Sequence, residues 1–271
     1  MKRWRLLAEL VRPPFAVFTF WVLAAGVVTT GSFSVTMLPT LAAFTVLGHL
    51  AVFSLNDYFD RDSDADNDRK GGLEGAVVTG ENENFVKYVA AISHVLLLGL
   101  AAFLPVFSFL GSIAVVVASF LYSAPPFRLK ERPFLDSACN IVILYATFCI
   151  GVGLAGGFLD DVIPGAFWFA LIFGGPGHMA ASYVDRESDM KSDIMTSAVV
   201  LGRRGIVLLG QALLVMALIL QSWSMETRTL LGISLLFSFY PLVTEKNMKK
   251  MMYLWAGVCS LYIVYWLLMR I

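Results

Sequence analysis

Asn56-Asp57-Tyr58-Phe59-Asp60-Arg61-Asp62-Ser63-Asp64-Ala65-Asp66-Asn67-Asp68-Arg69-Lys70 follows directly on an apolar block over 36–56, and this junction decides how the chain is read. About 20 apolar residues in a helix cross a hydrocarbon core ~30 Å thick. The block therefore reads as a membrane span and the carboxylates as its water-facing end. Asn56, Asp60 and Asp64 recur every four residues, which places them on one face of a helix. Like charges stacked this way repel one another. The arrangement makes sense when a divalent cation neutralises it, and oxygen donors of this kind suit Mg²⁺.

A second stretch repeats the pattern. Tyr183-Val184-Asp185-Arg186-Glu187-Ser188-Asp189-Met190-Lys191-Ser192-Asp193 also follows an apolar block, and Asp185, Asp189 and Asp193 are again four apart. His49 lies seven residues before Asn56, and His178 seven before Asp185. This spacing points to duplicated helical units whose acidic ends face each other across a central cavity. A single aspartate run is ordinarily solvated loop; two runs with matched spacing at helix ends are not explained that way. An EF-hand is excluded, because the registers starting at Asp60 and Asp62 lack the glycine at the sixth position and the glutamate at the twelfth. His49 and His178 have two open readings, orienting a bound molecule or hydrogen-bonding a neighbouring helix.

Working outward, nine apolar blocks emerge: 14–31, 36–56, 85–104, 106–123, 135–158, 163–183, 204–223, 228–243 and 250–269. Hydrophobic residues make up 58% of the 271 positions and charged residues 15%, against about 25% charged in an ordinary soluble domain. The expected fold is all-α, a multi-pass bundle of about nine transmembrane helices around a central cavity, with 1–271 as one domain. Arg12-Pro13-Pro14 interrupts before the first long block, so the N-terminal run reads as a retained helix rather than a signal peptide. Net charge is zero, with 20 basic and 20 acidic residues, so no general attraction to nucleic acid is expected. Eighteen of the 20 Lys and Arg fall in, or within three residues of, the N-terminal segment and the loops after the second, fourth, sixth and eighth blocks. The positive-inside rule makes the N-terminus and these acidic loops cytoplasmic and, with nine spans, the C-terminus external. Cys139, Cys149 and Cys259 lie within apolar blocks without metal-ligand spacing and read as small core residues.

At these motifs the chain resembles the UbiA superfamily of intramembrane prenyltransferases. Asn56-Asp57-x-x-Asp60-x-x-x-Asp64 matches the family's NDxxDxxxD, and Asp185-x-x-x-Asp189 its DxxxD, with Thr196 and Leu201-Gly202 downstream. Tyr122-Ser123-Ala124-Pro125-Pro126-Phe127-Arg128-Leu129-Lys130 resembles the YSxPPxRLK loop, and Arg12-Pro13 also fits. The resemblance implies that Asn56, Asp60, Asp64, Asp185 and Asp189 hold Mg²⁺ bridging a prenyl diphosphate. It places the chemistry on Asp57, Asp60 and Asp189, with Asp57 in support. Arg69, Lys70, Tyr122, Arg128 and Lys130 become the candidate substrate-binding residues, since guanidinium and ammonium groups suit phosphate oxygens. The other partners the resemblance implies are a lipophilic acceptor and membrane lipids. An allyl cation formed there needs a dry pocket with aromatic faces, for which Phe53, Tyr58, Phe59, Tyr122, Phe127, Tyr145 and Tyr183 are candidates.

One departure from the family pattern bears on the acceptor. The stretch from Asn67 to Gly80 is long and free of proline, which looks more like the branch that elongates carotenoids than like the quinone enzymes. Asp193 stands where glycine is frequent, and Ser197-Ala198 where Leu-Pro is usual. Aromatic and archaeal glycerol-ether acceptors stay open alongside the carotenoids. The rival reading is a divalent-cation or lipid transporter using the acidic motifs as an ion site. Transporter sites tend to lie near the bilayer midplane on broken helices, whereas these carboxylates sit at helix ends.

Overall fold

The computed structural model describes residues 3–62, 70–72, 75–191 and 193–238, together with Gly257, Leu261, Val264 and Tyr265. Among the described residues the regular structure is entirely helical: α1 (Arg3–Val11), α2 (Pro13–Thr29), α3 (Leu38–Phe59), α4 (Glu83–Ala102), α5 (Val106–Ser123), α6 (Leu135–Leu154), α7 (Pro164–Ile172), α8 (His178–Ser182), α9 (Arg186–Lys191), α10 (Ser197–Leu220) and α11 (Met225–Phe237). Helices α3, α4, α5, α6 and α10 are long and apolar enough to cross a membrane, and α1 with α2 adds a sixth span if the two count as one bent segment. Ile92, Val95 and Leu96 on α4, and Leu208, Val215 and Ile219 on α10, form exposed apolar rows at helical spacing, as expected of faces whose solvent is lipid. The chain is a multi-pass membrane protein. Of the nine blocks expected, 228–243 is described only to Ser238, and 250–269 lies outside the described residues apart from four positions.

The chain clusters into two compact units, one comprising Met1–Arg128, Ile143–Val162 and Tyr262–Ile271, the other Leu129–Val142 and Ile163–Leu261. In the first, α1 and α2 meet at a 50° bend. Pro13 disfavours right-handed helix at the residue before it, and Arg12 there adopts φ 50°. Leu23, Val27, Leu41, Phe44, Leu97, Val115 and Ile150 build the core. Glycines bring α2 and α6 into backbone contact: a Cβ on Gly26 would lie 2.2 Å from the Phe148 carbonyl oxygen, and one on Gly151 would lie 2.1 Å from that of Leu23. Inside lipid, where apolar burial drives no helix pairing, such close approach of small residues is what holds helices together. Ser108 on α5 adds a hydrogen bond to the Ile150 carbonyl, 3.0 Å.

In the second unit the expected span over 163–183 is broken. The backbone widens into a π-type turn over Phe173–Gly177, where Gly175 leaves the helical region (φ −87°, ψ −106°). Pro176 has no N–H to continue the ladder and its ring clashes with the preceding turn, so α7 and α8 are separate. Ile172, Leu214 and Ala217 pack with Trp168, Phe173 and Trp223 on one side. Met179, Ala198, Ile206 and Val207 pack on the other. α10 starts at Ser197, seven residues before the expected block, and Gly202 interrupts it at φ 58°.

Candidate functional site

The first acidic motif sits at the C-terminal end of α3, which stops at Phe59 with Asp60 as its cap. The Asn56 side-chain amide donates to Asp60 Oδ2 at 2.8 Å. Arg128, from the predicted Tyr122–Lys130 loop, approaches Asp60 Oδ1 at 3.6 Å and donates to the Phe59 carbonyl at 3.3 Å. Arg128 holds a left-handed backbone, φ 39°, so the loop is bent to aim this guanidinium at the helix end. Tyr122 lies half-buried in the last turn of α5. Asp64 and Arg69 lie outside the described residues.

Asp57, one turn before Asp60, is fully buried. Its Oδ1 accepts from Arg12 Nη2 at 2.6 Å and from Lys70 Nζ at 2.5 Å, and its Oδ2 accepts from the Ala76 N–H at 3.2 Å. The Arg12 guanidinium also covers the Phe53 ring at 4.2 Å. One carboxylate thus ties α3 to the α1–α2 bend and to Lys70 and Ala76. Gly75 is required at the crossing: its φ is +154°, and a Cβ there would lie 2.8 Å from Lys70 Cδ and 3.1 Å from Arg12 Nη2. Lys70, a candidate for the diphosphate, is placed against Asp57. Further along the surface, Arg61 bridges Asp62 at 2.9 Å and Glu83 at 2.7 Å, and its hydrogen bond holds the Asp62 carboxyl below the usual range.

His49 takes the second of its two open readings. One ring nitrogen meets the Val11 carbonyl at 2.7 Å and the other the Thr19 hydroxyl at 2.8 Å, so the imidazole joins α3 to α1 and α2.

In the second unit, Asp185 closes a tight 3-10 turn over Tyr183–Asp185, and Asp189 lies on the short helix α9. Thr196 donates its hydroxyl to Asp189 Oδ2 at 3.3 Å. The expected single helical stripe of three carboxylates does not form: Asp193 lies beyond α9 at φ 58°. α9 ends at Lys191, before Asp193, because closely stacked carboxylates do not by themselves favour a continuing helix. Lys130 sits in a 3-10 turn over Leu129–Glu131. A further carboxylate that motif reading passed over is Asp136, buried at the head of α6 and hydrogen-bonded to Ser197. Its one sequence signal is an acidic residue opening an otherwise apolar block.

Among the described residues no three His, Cys, Asp or Glu side chains converge as a metal cluster. The donors at the two motifs are nevertheless all oxygen, the set that hard divalent cations take. Asp60 and Asp189 remain partly accessible.

A model of the UbiA prenyltransferase family matches residues 15–270. The lycopene elongase/hydratase of Corynebacterium glutamicum is 30% identical over 198 residues, which are 71% of this chain and 68% of that protein. The lycopene elongase/hydratase of Halobacterium salinarum is 30% identical over 210 residues, 73% of this chain and 72% of that one. Among solved structures, a UbiA homolog from Archaeoglobus fulgidus bound to GPP and Mg²⁺ superposes with a TM-score of 0.67 at 20% identity, covering 97% of this chain and 98% of the other. At that identity the likeness concerns the fold.

Proposed function

The chain belongs to the UbiA prenyltransferase family, and from that premise we propose that it transfers a prenyl group from a prenyl diphosphate to a polyene acceptor of the lycopene class within the membrane. The geometry that carries the reaction class is at the end of α3, where Asn56, Asp60 and Arg128 meet. A diphosphate needs both a cation held by oxygen donors and a guanidinium on its remaining charge. The oxygens of Asn56, Asp60, Asp64, Asp185 and Asp189 would hold Mg²⁺, which when bound neutralises charge on the departing pyrophosphate. Arg128 is aimed at the same helix end to take a phosphate oxygen, and Arg69 and Lys130 are its candidate helpers, whereas Lys70 is held by Asp57. Phe59 and Tyr58, edge to face at 5.1 Å, offer π-density near that end for a developing allyl cation.

What supports the acceptor is the similarity to two lycopene elongase/hydratases across more than two thirds of their lengths, together with the proline-free stretch to Gly80. An alkene acceptor attacks through its own π-electrons, so a base is needed only for the final proton loss. The whole chain is read as one nine-span domain, with the N-terminus and both acidic ends cytoplasmic and the C-terminus external, from the distribution of Lys and Arg.

The test uses purified protein in lipid nanodiscs with Mg²⁺, a donor series from dimethylallyl to geranylgeranyl diphosphate, and lycopene, 4-hydroxybenzoate and geranylgeranylglyceryl phosphate as acceptors. Pyrophosphate release and prenylated product are followed by mass spectrometry. Metal-dependent prenylated lycopene, absent with Asp60→Ala and Asp189→Ala, is the expected result. Product from an aromatic or glyceryl acceptor alone overturns the acceptor. Diphosphates left intact with every donor and acceptor overturn the reaction.

A further inference from the structure

We propose that Asp136 is a positioning residue for the second acidic motif: through Ser197 it fixes Thr196, whose hydroxyl orients the Asp189 carboxylate toward a divalent cation. This rests on the metal-dependent reading above and adds a residue to it.

Asp136 is 1% exposed, and among the described residues no Lys or Arg pairs with it. A buried carboxylate without a cation is costly unless hydrogen bonds satisfy it. Here they come from two places. Oδ1 accepts the Ser137 N–H at 2.7 Å and the Ser197 hydroxyl, and Oδ2 accepts the Ser197 N–H at 2.9 Å. Ser197 Oγ in turn accepts the Phe134 N–H at 2.6 Å, in a turn where Phe134 holds φ 68°. His178 on α8, seven residues before Asp185, is within electrostatic reach of the same carboxylate.

Ser197 is the first residue of α10 and Thr196 its cap. The first N–H groups of a helix have no partner within it and favour negative charge, so Asp136 supplies from outside what that terminus lacks. With Ser197 held at both backbone and hydroxyl, the residue before it has little freedom. Thr196 is itself buried. Its Oγ1 accepts the Val199 N–H at 3.3 Å and donates to Asp189 Oδ2 at 3.3 Å. The hydroxyl proton is thereby committed to Asp189, and one carboxylate oxygen is given a fixed direction. Hydrogen bonds to ligating carboxylates orient them and tune their affinity for the metal. The chain of contacts runs from Asp136 through Ser197 and Thr196 to Asp189, all within one compact unit.

The experiment measures Mn²⁺ binding by EPR on nanodisc protein without substrate, alongside thermal unfolding and the Mg²⁺ dependence of pyrophosphate release. Thr196→Val should weaken Mn²⁺ binding by about tenfold, the lower end for an outer-shell partner, and Thr196→Ser should restore it. Asp136→Asn should weaken it comparably, and the double variant Asp136→Asn/Thr196→Val should bind no worse than either single one, because contacts in one network are not additive. Asp189→Ala is the reference for loss of that ligand. Mn²⁺ binding that falls in Asp189→Ala but stays at the parent level in Thr196→Val overturns the proposal while leaving the metal reading intact. So does Asp136→Asn lowering only the unfolding temperature. A parent protein that binds no Mn²⁺ at all overturns both.

Discussion

Replacing Asp57 tests whether the residue beside the first motif's asparagine acts on substrate or braces the fold. The side chain is fully buried and gathers three donors from distant parts of the chain, two of them cationic: Arg12 at 2.6 Å, Lys70 at 2.5 Å and the Ala76 N–H at 3.2 Å. Hydrogen bonds to charged groups contribute about 1.5–3 kcal/mol each, and removing one partner of a buried ion pair costs about 3–5 kcal/mol. Asp57→Ala leaves the buried Arg12 guanidinium without its carboxylate, so a loss of about 4 kcal/mol is expected, which lowers the unfolding temperature by about 10 °C. Asp57→Asn keeps an oxygen for the Ala76 N–H and loses only the charge, so it should fall between the two, about 2 kcal/mol below the parent. Unfolding followed by tryptophan fluorescence in nanodiscs reads both, with Mn²⁺ binding measured in parallel below the transition. The bracing role predicts that metal affinity survives where the protein is folded. An Asp57→Ala protein that unfolds within about 2 °C of the parent but has lost turnover would refute the reasoning and make Asp57 a participant in the chemistry.

Gly151→Leu should abolish the folded, monodisperse protein in detergent size exclusion, because its Cβ would meet the Leu23 carbonyl oxygen at 2.1 Å, where neither backbone can yield and overpacking costs more than the usual ~1–3 kcal/mol. Gly99→Leu, at a helix position with nothing within 4 Å, should behave like the parent and serves as its control. His49→Phe removes the bonds to the Val11 carbonyl and the Thr19 hydroxyl. It should destabilise by about 2 kcal/mol while leaving Mn²⁺ affinity unchanged; loss of turnover without a shift in unfolding temperature would return His49 to the acceptor site.

Helices α2 through α6 were legible before any coordinate, because the length of a span is set by bilayer thickness and apolarity is a property of the local sequence. The two acidic motifs and the Tyr122–Lys130 loop stand out in the sequence by spacing alone, but the helical stripe expected of the second motif does not form, and the approach of Arg128 to Asp60 at the end of α3 shows only in the folded chain. The break within 163–183 carried a local signal too, in Gly174-Gly175-Pro176, but a long apolar run masks it and only the backbone shows the helix parting at Gly175. The short helix α1 went unread, being amphipathic and separated from α2 by a single left-handed residue. The role of each charge was not legible at all. Asp57 and Asp60 stand three residues apart in one motif, yet one is buried against Arg12 and Lys70 while the other stays accessible beside Arg128. Asp136 and Ser197 are 61 residues apart and meet only because α6 and α10 begin side by side. Periodicity tells which residues share a helix face, since that depends on one helix alone. Which charge is buried, and which partner satisfies it, depends on where loops return and helices pack, and that is decided only when the tertiary structure forms.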